Sequence, residues 1–146
     1  MNARPGWDEY FLNIARRVSE RGTCVRRKVG CVLVSENKDI LATGYNGRAS
    51  GVINCLNLPC EGAREESGSG LEKCEAIHAE QNALIRCNNI YQIDTVYCTV
   101  SPCVFCVNLL TATPAKRIVF LEEYPHSTES RRRWGDREWI LSGSSV

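Results

Sequence analysis

The chain has 146 residues, 43% of them hydrophobic, and its 18 Lys and Arg side chains nearly balance 17 Asp and Glu side chains, giving a net charge of +1. A chain of this length forms one domain that buries roughly two thirds of its unfolded surface. A net charge this close to zero gives no support to nucleic-acid binding, but it is compatible with a small phosphorylated substrate.

Apolar runs such as "CVLV" and "RIVFL" are far shorter than the roughly 20 residues that span a bilayer. The start "MNARPGWDEY" lacks a signal peptide's apolar stretch, so we expect a cytoplasmic protein that does not bind membranes. Nine cysteines could form disulfides or thiolate metal sites. The odd count and the missing export signal favour metal binding or plain burial.

The predicted elements begin with a helix over residues 7–18, where apolar side chains recur at helical spacing. Two strands follow, "VGCVLVS" and "ILATGY", joined by the hairpin turn "ENKD". Residues 46–74 carry Gly, Ser, Asn and Pro without a sustained period, which predicts a long, Cys-rich, irregular insertion. Loops of that length are usually functional or held by a constraint.

The second half predicts a helix over 78–88, the strand "TVYCTV", a helix over 103–112 and the strand "RIVFL". A last, charged helix is expected over 127–141, after which the chain stops at "SGSSV". This alternation favours a three-layer α/β/α sandwich with a mixed sheet of about five strands and right-handed crossovers between parallel strands. We expect a single domain over residues 1–146.

The segment "IHAEQNAL" places one of only two histidines, His78, two positions before Glu80. Residues i and i+2 do not share a helix face, so the two side chains work together only at a helix start. The segment "SPCVFC" follows a strand directly: Ser101 is a candidate helix cap, and Cys103 and Cys106 fall on one helix face. The positive end of a helix favours thiolates.

Both helices should begin at the same end of the sheet, because the returning strand carries the chain back over the length of the first helix. One imidazole and two thiolates then fill three positions of a tetrahedral zinc site and leave the fourth for water. Glu80 is free to move protons beside that water. The order H-x-E then P-C-x-x-C is the signature of zinc-dependent nucleobase deaminases. A plain buried cysteine pair with a capped core histidine is the alternative.

The sequence resembles the deoxycytidylate (dCMP) deaminases over nearly its full length, through "WDEYFLNIA", "TCVRRKVGCVLV", "GYNG", "IHAEQNAL" and "SPCVFC". The resemblance implies hydrolysis of dCMP to dUMP and ammonia, a step toward thymidylate, with zinc on His78, Cys103 and Cys106 and Glu80 as general acid and base. It also implies a set of substrate-binding residues: Asn46 for the deoxyribose and base, Arg26 for the 5′-phosphate, Tyr124 over the substrate, and Ala79 and Ser101. Arg26 could instead be one of a solvated "RRK" run, and Tyr124 could be surface packing.

Four further cysteines flank or lie inside the insertion: Cys24, Cys55, Cys60 and Cys74. A closed structural zinc site of four thiolates would constrain such a loop, and some of the family hold a second zinc nearby. Separate thiols are the alternative. Cys31, Cys87 and Cys98 are expected to be small apolar residues within strands or helices.

The family is typically a homohexamer, activated by dCTP with Mg²⁺ and inhibited by dTTP at a site between subunits. Gly47, Arg48 and Asn82 are the candidate contacts for that nucleotide, although Arg48 could simply be solvated. Family members often continue through another strand after the last helix, where this chain is expected to stop.

Three other functions share part of this pattern. A tRNA adenosine deaminase would need a basic, aromatic surface, for which "RRRWGDREW" is the only candidate. Free cytidine deaminases usually have cysteine at the position of His78. A zinc-stabilised regulatory module without turnover would have no use for the uncoordinated carboxylate of Glu80.

Overall fold

The computed structural model describes residues 3–23, 27–47 and 77–142. A five-stranded mixed sheet in the order β2-β1-β3-β4-β5 forms the middle layer. Its strands are β1 (Gly30–Ser35), β2 (Ile40–Tyr45), β3 (Ile93–Val100), β4 (Arg117–Glu122) and β5 (Glu138–Leu141). The helices are α1 (Trp7–Ser19), α2 (Ala79–Arg86), α3 (Val104–Thr111) and α4 (Thr128–Trp134), and a 3₁₀ turn at Ile90–Gln92 precedes β3.

The sheet combines an antiparallel half and a parallel half. β1 pairs antiparallel with both β2 and β3, whereas β3, β4 and β5 run parallel. The predicted three-layer α/β/α architecture with about five strands is confirmed. None of the helices in the described ranges is long and apolar enough to cross a bilayer.

Alternating residues of each strand build two cores, one on each face of the sheet. Val32 and Tyr97 face α1 in a core that also contains Phe11. Cys31 and Cys98 face the opposite way, into the core formed with α2, α3 and α4. These two cysteines are fully buried strand residues, as expected, while Cys87 follows the end of α2 and is half-buried.

The prediction of a last helix over 127–141 was wrong. Helix α4 ends at Trp134, because Gly135 follows with φ of 73°, a left-handed conformation that glycine adopts without strain. β5 then runs parallel to β4, with Trp139 packed against one core and Ile140 against the other. The expectation that no strand follows the last helix was therefore also wrong.

Polar side chains fix the N-terminal end of α1 to the sheet. The Asp8 carboxylate accepts a hydrogen bond from the Tyr97 hydroxyl at 2.6 Å and two from the Arg117 guanidinium at 3.1 and 2.8 Å. Arg117 also pairs with Glu138 of β5 at 3.3 Å. Burial acts to raise the pKa of Asp8, but the hydrogen bonds from Arg117 and Tyr97 hold that pKa below its ordinary value. The carboxylate therefore stays charged in this network.

Two glycines let helices approach the sheet closely. A Cβ atom on Gly44 would lie 2.3 Å from the Ala79 carbonyl oxygen and 2.4 Å from the Ala83 nitrogen of α2. A Cβ atom on Gly30 would lie 2.1 Å from the Ala15 carbonyl oxygen of α1. Since β1 and β2 are neighbours, these contacts bring α1 and α2 against opposite faces of the same strand pair.

Replacing Gly44 by alanine should lower the free energy of unfolding by about 1–3 kcal/mol, because the new methyl group must push α2 away from β2. Urea unfolding at a fixed zinc concentration measures the change. Gly6→Ala is the matched control, since nothing lies within 4 Å of a Cβ placed there. Equal stability of the two variants would contradict the proposed packing constraint.

Candidate functional site

The start of α2 carries the first half of the site. His78 is the N-cap residue and Glu80 lies in the first turn, which confirms that this pair sits at a helix start. The Gln81 side chain accepts a hydrogen bond from the His78 backbone N–H at 2.9 Å. Gly47 and Ile77 exchange two backbone hydrogen bonds, of 3.0 and 2.8 Å, which hold the residue before His78 to the chain that leaves β2.

The start of α3 carries the second half. Cys103 is the N-cap residue and Cys106 lies in the first turn. The expectation that Ser101 caps this helix was wrong. Its backbone N–H donates to the Glu122 carbonyl at 2.9 Å, and its hydroxyl oxygen accepts from the Tyr124 N–H at 2.7 Å. Ser101 directly follows β3 and fastens the end of that strand to the end of β4, while Cys103 occupies the helix start.

The two helix starts meet as the topology predicted. The His78 Nδ1 atom lies 3.2 Å from the Cys106 Sγ and 3.4 Å from the Cys103 Sγ, and all three candidate ligand atoms lie within 4.8 Å of one another. Tetrahedral zinc with ordinary Zn–N and Zn–S bonds separates nitrogen and sulfur ligands by about 3.5 Å. The residues present therefore fit zinc.

The described residues supply three candidate ligands to this site, one fewer than the four positions of tetrahedral zinc. Within the described part of the chain, no further His, Cys, Asp or Glu joins the three candidate ligands. Glu80 is nearby and only 4% exposed, but it is not a member of that group. Three protein ligands and an open position are typical of catalytic zinc rather than of closed structural zinc.

The surroundings favour a thiolate at Cys103 and strengthen the hold of Glu80 on its proton. The hydrogen bond from the Cys106 thiol, helped by His78, lowers the pKa of Cys103 to about 4. The same hydrogen bond and burial raise the pKa of Cys106 well above its ordinary value. Burial raises the pKa of Glu80 to about 7, although His78 acts against this shift.

Comparison with known proteins identifies the family. Residues 5–122 match the family described as the cytidine and deoxycytidylate deaminase zinc-binding region. The chain belongs to this deaminase family. The deoxycytidylate deaminase of Mycobacterium phage D29 is 41% identical over 127 residues, which cover 83% of this chain and 98% of the phage protein.

Two further family members show how much of the chain is shared. The deoxycytidylate deaminase of Saccharomyces cerevisiae is 36% identical over 129 residues, or 87% of this chain, and this match spans only 41% of the yeast protein. The solved dCMP deaminase of cyanophage S-TIM5, in complex with dCMP and dUMP, superposes with a TM-score of 0.74. It is 28% identical, and the superposition covers 96% of this chain and 100% of the phage chain.

The family resemblance assigns Asn46 to the sugar and base. In the structure its side chain forms hydrogen bonds with backbone atoms. Its amide oxygen accepts from the Val29 N–H at 2.8 Å, and its amide nitrogen donates to the Arg27 carbonyl at 2.5 Å. One N–H and one lone pair remain available to a ligand. Asn46 therefore also holds the segment that leads into β1.

Asn82, a candidate effector contact, also binds backbone atoms. Its side-chain nitrogen donates to the Tyr45 carbonyl at 2.8 Å and to the Ile77 carbonyl at 3.4 Å. Together with the pairing of Gly47 and Ile77, these bonds join α2 to the end of β2. Sequence reasoning missed this positioning role and that of Gln81. The hydrogen bond of Gln81 could have been predicted from the sequence, because glutamine three positions after the helix cap is part of the capping-box pattern.

The remaining predicted residues are divided between described and undescribed parts of the chain. Ala79 is buried against β2, and the half-buried Tyr124 follows β4 and donates its N–H to Ser101. The predicted residues outside the described ranges are Arg26, Arg48 and the four candidate ligands of a second metal, Cys24, Cys55, Cys60 and Cys74.

Replacing Cys106 by serine should remove about one zinc ion per chain, because two ligands hold zinc much more weakly than three. Metal analysis after exhaustive dialysis measures the zinc content. Cys87→Ser is the matched control and should retain all bound zinc, since that half-buried thiol lies at the other end of α2. Unchanged zinc content in Cys106→Ser would contradict the proposed ligand set.

Proposed function

We propose that the protein catalyses the hydrolytic deamination of dCMP to dUMP and ammonia. The observation that carries this proposal is the meeting of His78, Cys103 and Cys106 at two helix starts, with a buried and uncoordinated carboxylate, Glu80, beside them. Deoxycytidylate deaminases that are 36% and 41% identical to this chain, and a similar structure solved with dCMP and dUMP, support this substrate.

His78, Cys103 and Cys106 would hold the catalytic zinc. Bound there, zinc supplies Lewis acidity, which lowers the pKa of a water molecule enough for attack on the amino-bearing carbon of cytosine. Two thiolates and one neutral imidazole give the ligand set a charge of about −2, which offsets the charge of the ion. The helix starts that carry these ligands add partial positive charge, which favours both thiolates.

Glu80 would act as the proton carrier. Its carboxylate takes a proton from the attacking water and delivers it to the ring nitrogen next to the amino group. The carbon–oxygen bond forms in this attack. Glu80 then takes the proton of the new hydroxyl group and delivers it to the amino group, so that the carbon–nitrogen bond breaks and ammonia leaves. Burial of Glu80 excludes bulk water that would otherwise compete for these protons.

The phosphate and sugar of dCMP would be held by residues at the rim of this site. We assign the 5′-phosphate to Arg26, whose planar and permanently charged guanidinium suits a dianion. The free N–H and lone pair of Asn46 are assigned to the deoxyribose and base, and Tyr124 to the face of the substrate. Ala79 at the start of α2 and Ser101 directly after β3 complete the proposed substrate-binding set.

A second, structural zinc on Cys24, Cys55, Cys60 and Cys74 is proposed to constrain the Cys-rich insertion of a single deaminase domain. The zinc that remains in the Cys106→Ser variant tests this proposal. About one ion per chain should remain if the four thiolates bind metal, and none if they do not.

Regulation by nucleotide triphosphates is proposed at Gly47, Arg48 and Asn82, with dCTP and Mg²⁺ activating and dTTP inhibiting. The nearby ring of Tyr45 supports a phosphate site, because the guanidinium carbons of Arg21 and Arg86 lie 5.9 and 5.7 Å from its centroid. Neither guanidinium forms an ion pair with another described residue, so both are available to an anion.

A homohexamer in the cytoplasm is the proposed state of the protein. Large apolar side chains are exposed on α1, α2 and α3. Ile85 of α2 is 72% exposed, and Phe105 and Leu109 lie one turn apart on α3, 55% and 47% exposed. Burying such side chains between subunits would stabilise an assembly. These exposed residues support self-association.

Glu80→Gln should lower the rate of ammonia release from dCMP by a factor on the order of 10²–10⁴, because glutamine cannot carry the proton. Bound zinc should stay unchanged, since Glu80 is not among the three candidate ligands. Glu36→Gln makes the same chemical change in the turn between β1 and β2 and should leave the rate unaltered. A near-normal rate in Glu80→Gln would remove the proton-carrier role.

Ammonia release should be most efficient with dCMP among dCMP, dCTP, deoxycytidine and a tRNA anticodon stem. The reason is that a single phosphate and a free pyrimidine match the proposed rim contacts, while a neutral nucleoside cannot engage Arg26. Comparison of kcat/KM values, with and without dCTP plus Mg²⁺ or dTTP, measures substrate choice and regulation together. Preference for the nucleoside or the tRNA stem would assign the protein to another branch of the family.

A further inference from the structure

We infer that the protein has a further anion-binding site, separate from those proposed for substrate and effector: a cleft beneath α1 that takes a phosphate or pyrophosphate group of a small molecule. The cleft has a volume of about 480 Å³ and lies where the end of α1 passes over the carboxyl ends of β3 and β4. This volume is within the usual range for small-molecule sites, roughly 300–1,000 Å³. We call it the α1 cleft; its polar lining is Arg16, Ser19, Arg27, Lys28, Thr99 and Glu122.

The α1 cleft is on the other face of the sheet from the candidate zinc site. Thr99 alternates with Cys98, which belongs to the core shared with α2 and α3, so the Thr99 side chain faces α1. Leu121, another lining residue, packs against the core formed with α1. Neither Arg16 nor Thr99 is among the residues assigned above to substrate or effector.

The lining carries an excess of positive charge. Arg16, Arg27 and Lys28 supply three cations, and Glu122 supplies one carboxylate. That carboxylate is paired with the Arg27 guanidinium at 2.7 Å, and no described residue forms an ion pair with Arg16 or Lys28. Two uncompensated charges match a phosphate dianion. Cations held close together repel one another, and an anion bound between them would remove this cost.

The shape of the cleft is determined by the close packing of α1 on β1 and by the hydrogen bonds that hold Arg27. Because Gly30 has no side chain, the last turn of α1 lies directly on β1, which brings Arg16 next to the segment containing Arg27 and Lys28. The Arg27 backbone is held by the Asn46 amide at 2.5 Å, and its side chain is held by Glu122. Arg27 is therefore oriented before any ligand arrives, which lowers the entropic cost of binding.

Thr99 adds a hydrogen-bond donor to the cleft. Its hydroxyl oxygen accepts a bond from the Gly30 N–H at 3.1 Å. Its hydroxyl hydrogen has no acceptor among the described residues, although the side chain is largely buried. A phosphate oxygen would provide that acceptor. The cleft thus offers two guanidinium groups, an ammonium group and a hydroxyl, a donor set typical of phosphate binding.

A small ligand fits these observations better than a polynucleotide. A nucleic-acid surface would carry basic side chains along an extended path, and the chain as a whole has a net charge of only +1. Arg16 and Lys28, the two cations without an ion-pair partner among the described residues, line a single cleft rather than an extended path.

The test titrates inorganic pyrophosphate into the zinc-loaded full-length chain by calorimetry, with and without saturating dUMP. The variant Arg16→Gln/Lys28→Gln should bind pyrophosphate about tenfold more weakly or worse, because it loses both unpaired cations. The control Arg4→Gln/Arg131→Gln removes two exposed positive charges elsewhere and should bind like the unmodified chain. Circular dichroism checks that both variants fold.

Several outcomes would overturn the inference: no binding to the unmodified chain, equal binding by all three proteins, or loss of binding when dUMP is added. Tighter binding of a single-stranded oligonucleotide, lost in the same variant, would indicate a nucleic-acid surface instead. The Arg16→Gln/Lys28→Gln variant should deaminate dCMP at close to the normal rate, and a parallel loss of that activity would make the cleft part of substrate binding. Failure of the unmodified chain to deaminate dCMP would reject the proposed function but leave the pyrophosphate result valid.

Discussion

The contact between Gly44 and the first turns of α2 determines where the candidate zinc site forms. Only a residue without a side chain lets the Ala79 carbonyl and the Ala83 nitrogen come this close to β2. Asn82 and the backbone pairing of Gly47 with Ile77 then hold the start of the helix at the end of that strand. His78 follows Ile77 directly, so these backbone contacts help to place its imidazole. The thiols of Cys103 and Cys106, at the start of α3, lie next to this imidazole.

The same arrangement explains how a group that favours its charged form, Cys103, lies close to one that readily holds a proton, Glu80. Both helices direct their positive ends toward the candidate ligands, which adds to the influences that favour a thiolate at Cys103. Glu80 lies in the first turn of α2, yet it is buried among the core residues that face α2 and α3. Burial disfavours its charged form, and the helix start and His78 favour it. A carboxyl group balanced between these influences suits a role in which it must both accept and release a proton.

Much of this could be predicted from sequence, because metal ligation restricts residue types and helix geometry restricts their spacing. His78, Cys103 and Cys106 were therefore identified, and the topology brings them together. The last helix was mispredicted because Trp134, Trp139, Ile140 and Leu141 fit one helix as well as a helix end followed by a strand, and only the conformation of Gly135 separates the two. The roles of Asn46 and Asn82 could not be predicted, since the amide of Asn46 binds backbone atoms 17 and 19 positions away and that of Asn82 binds the Tyr45 carbonyl 37 positions away. Sequence patterns carry no signal for such distant partners.

Helix α1 is anchored at its beginning by Asp8 and at its end by its contact with Gly30. Beyond the end of α1, Asn46 binds the backbone of three residues, Thr23, Arg27 and Val29. For protein engineering, this means that new ligand preferences should come from exchanging individual side chains near Asn46, because a change in the backbone at any of these three residues would break the hydrogen bonds that Asn46 forms.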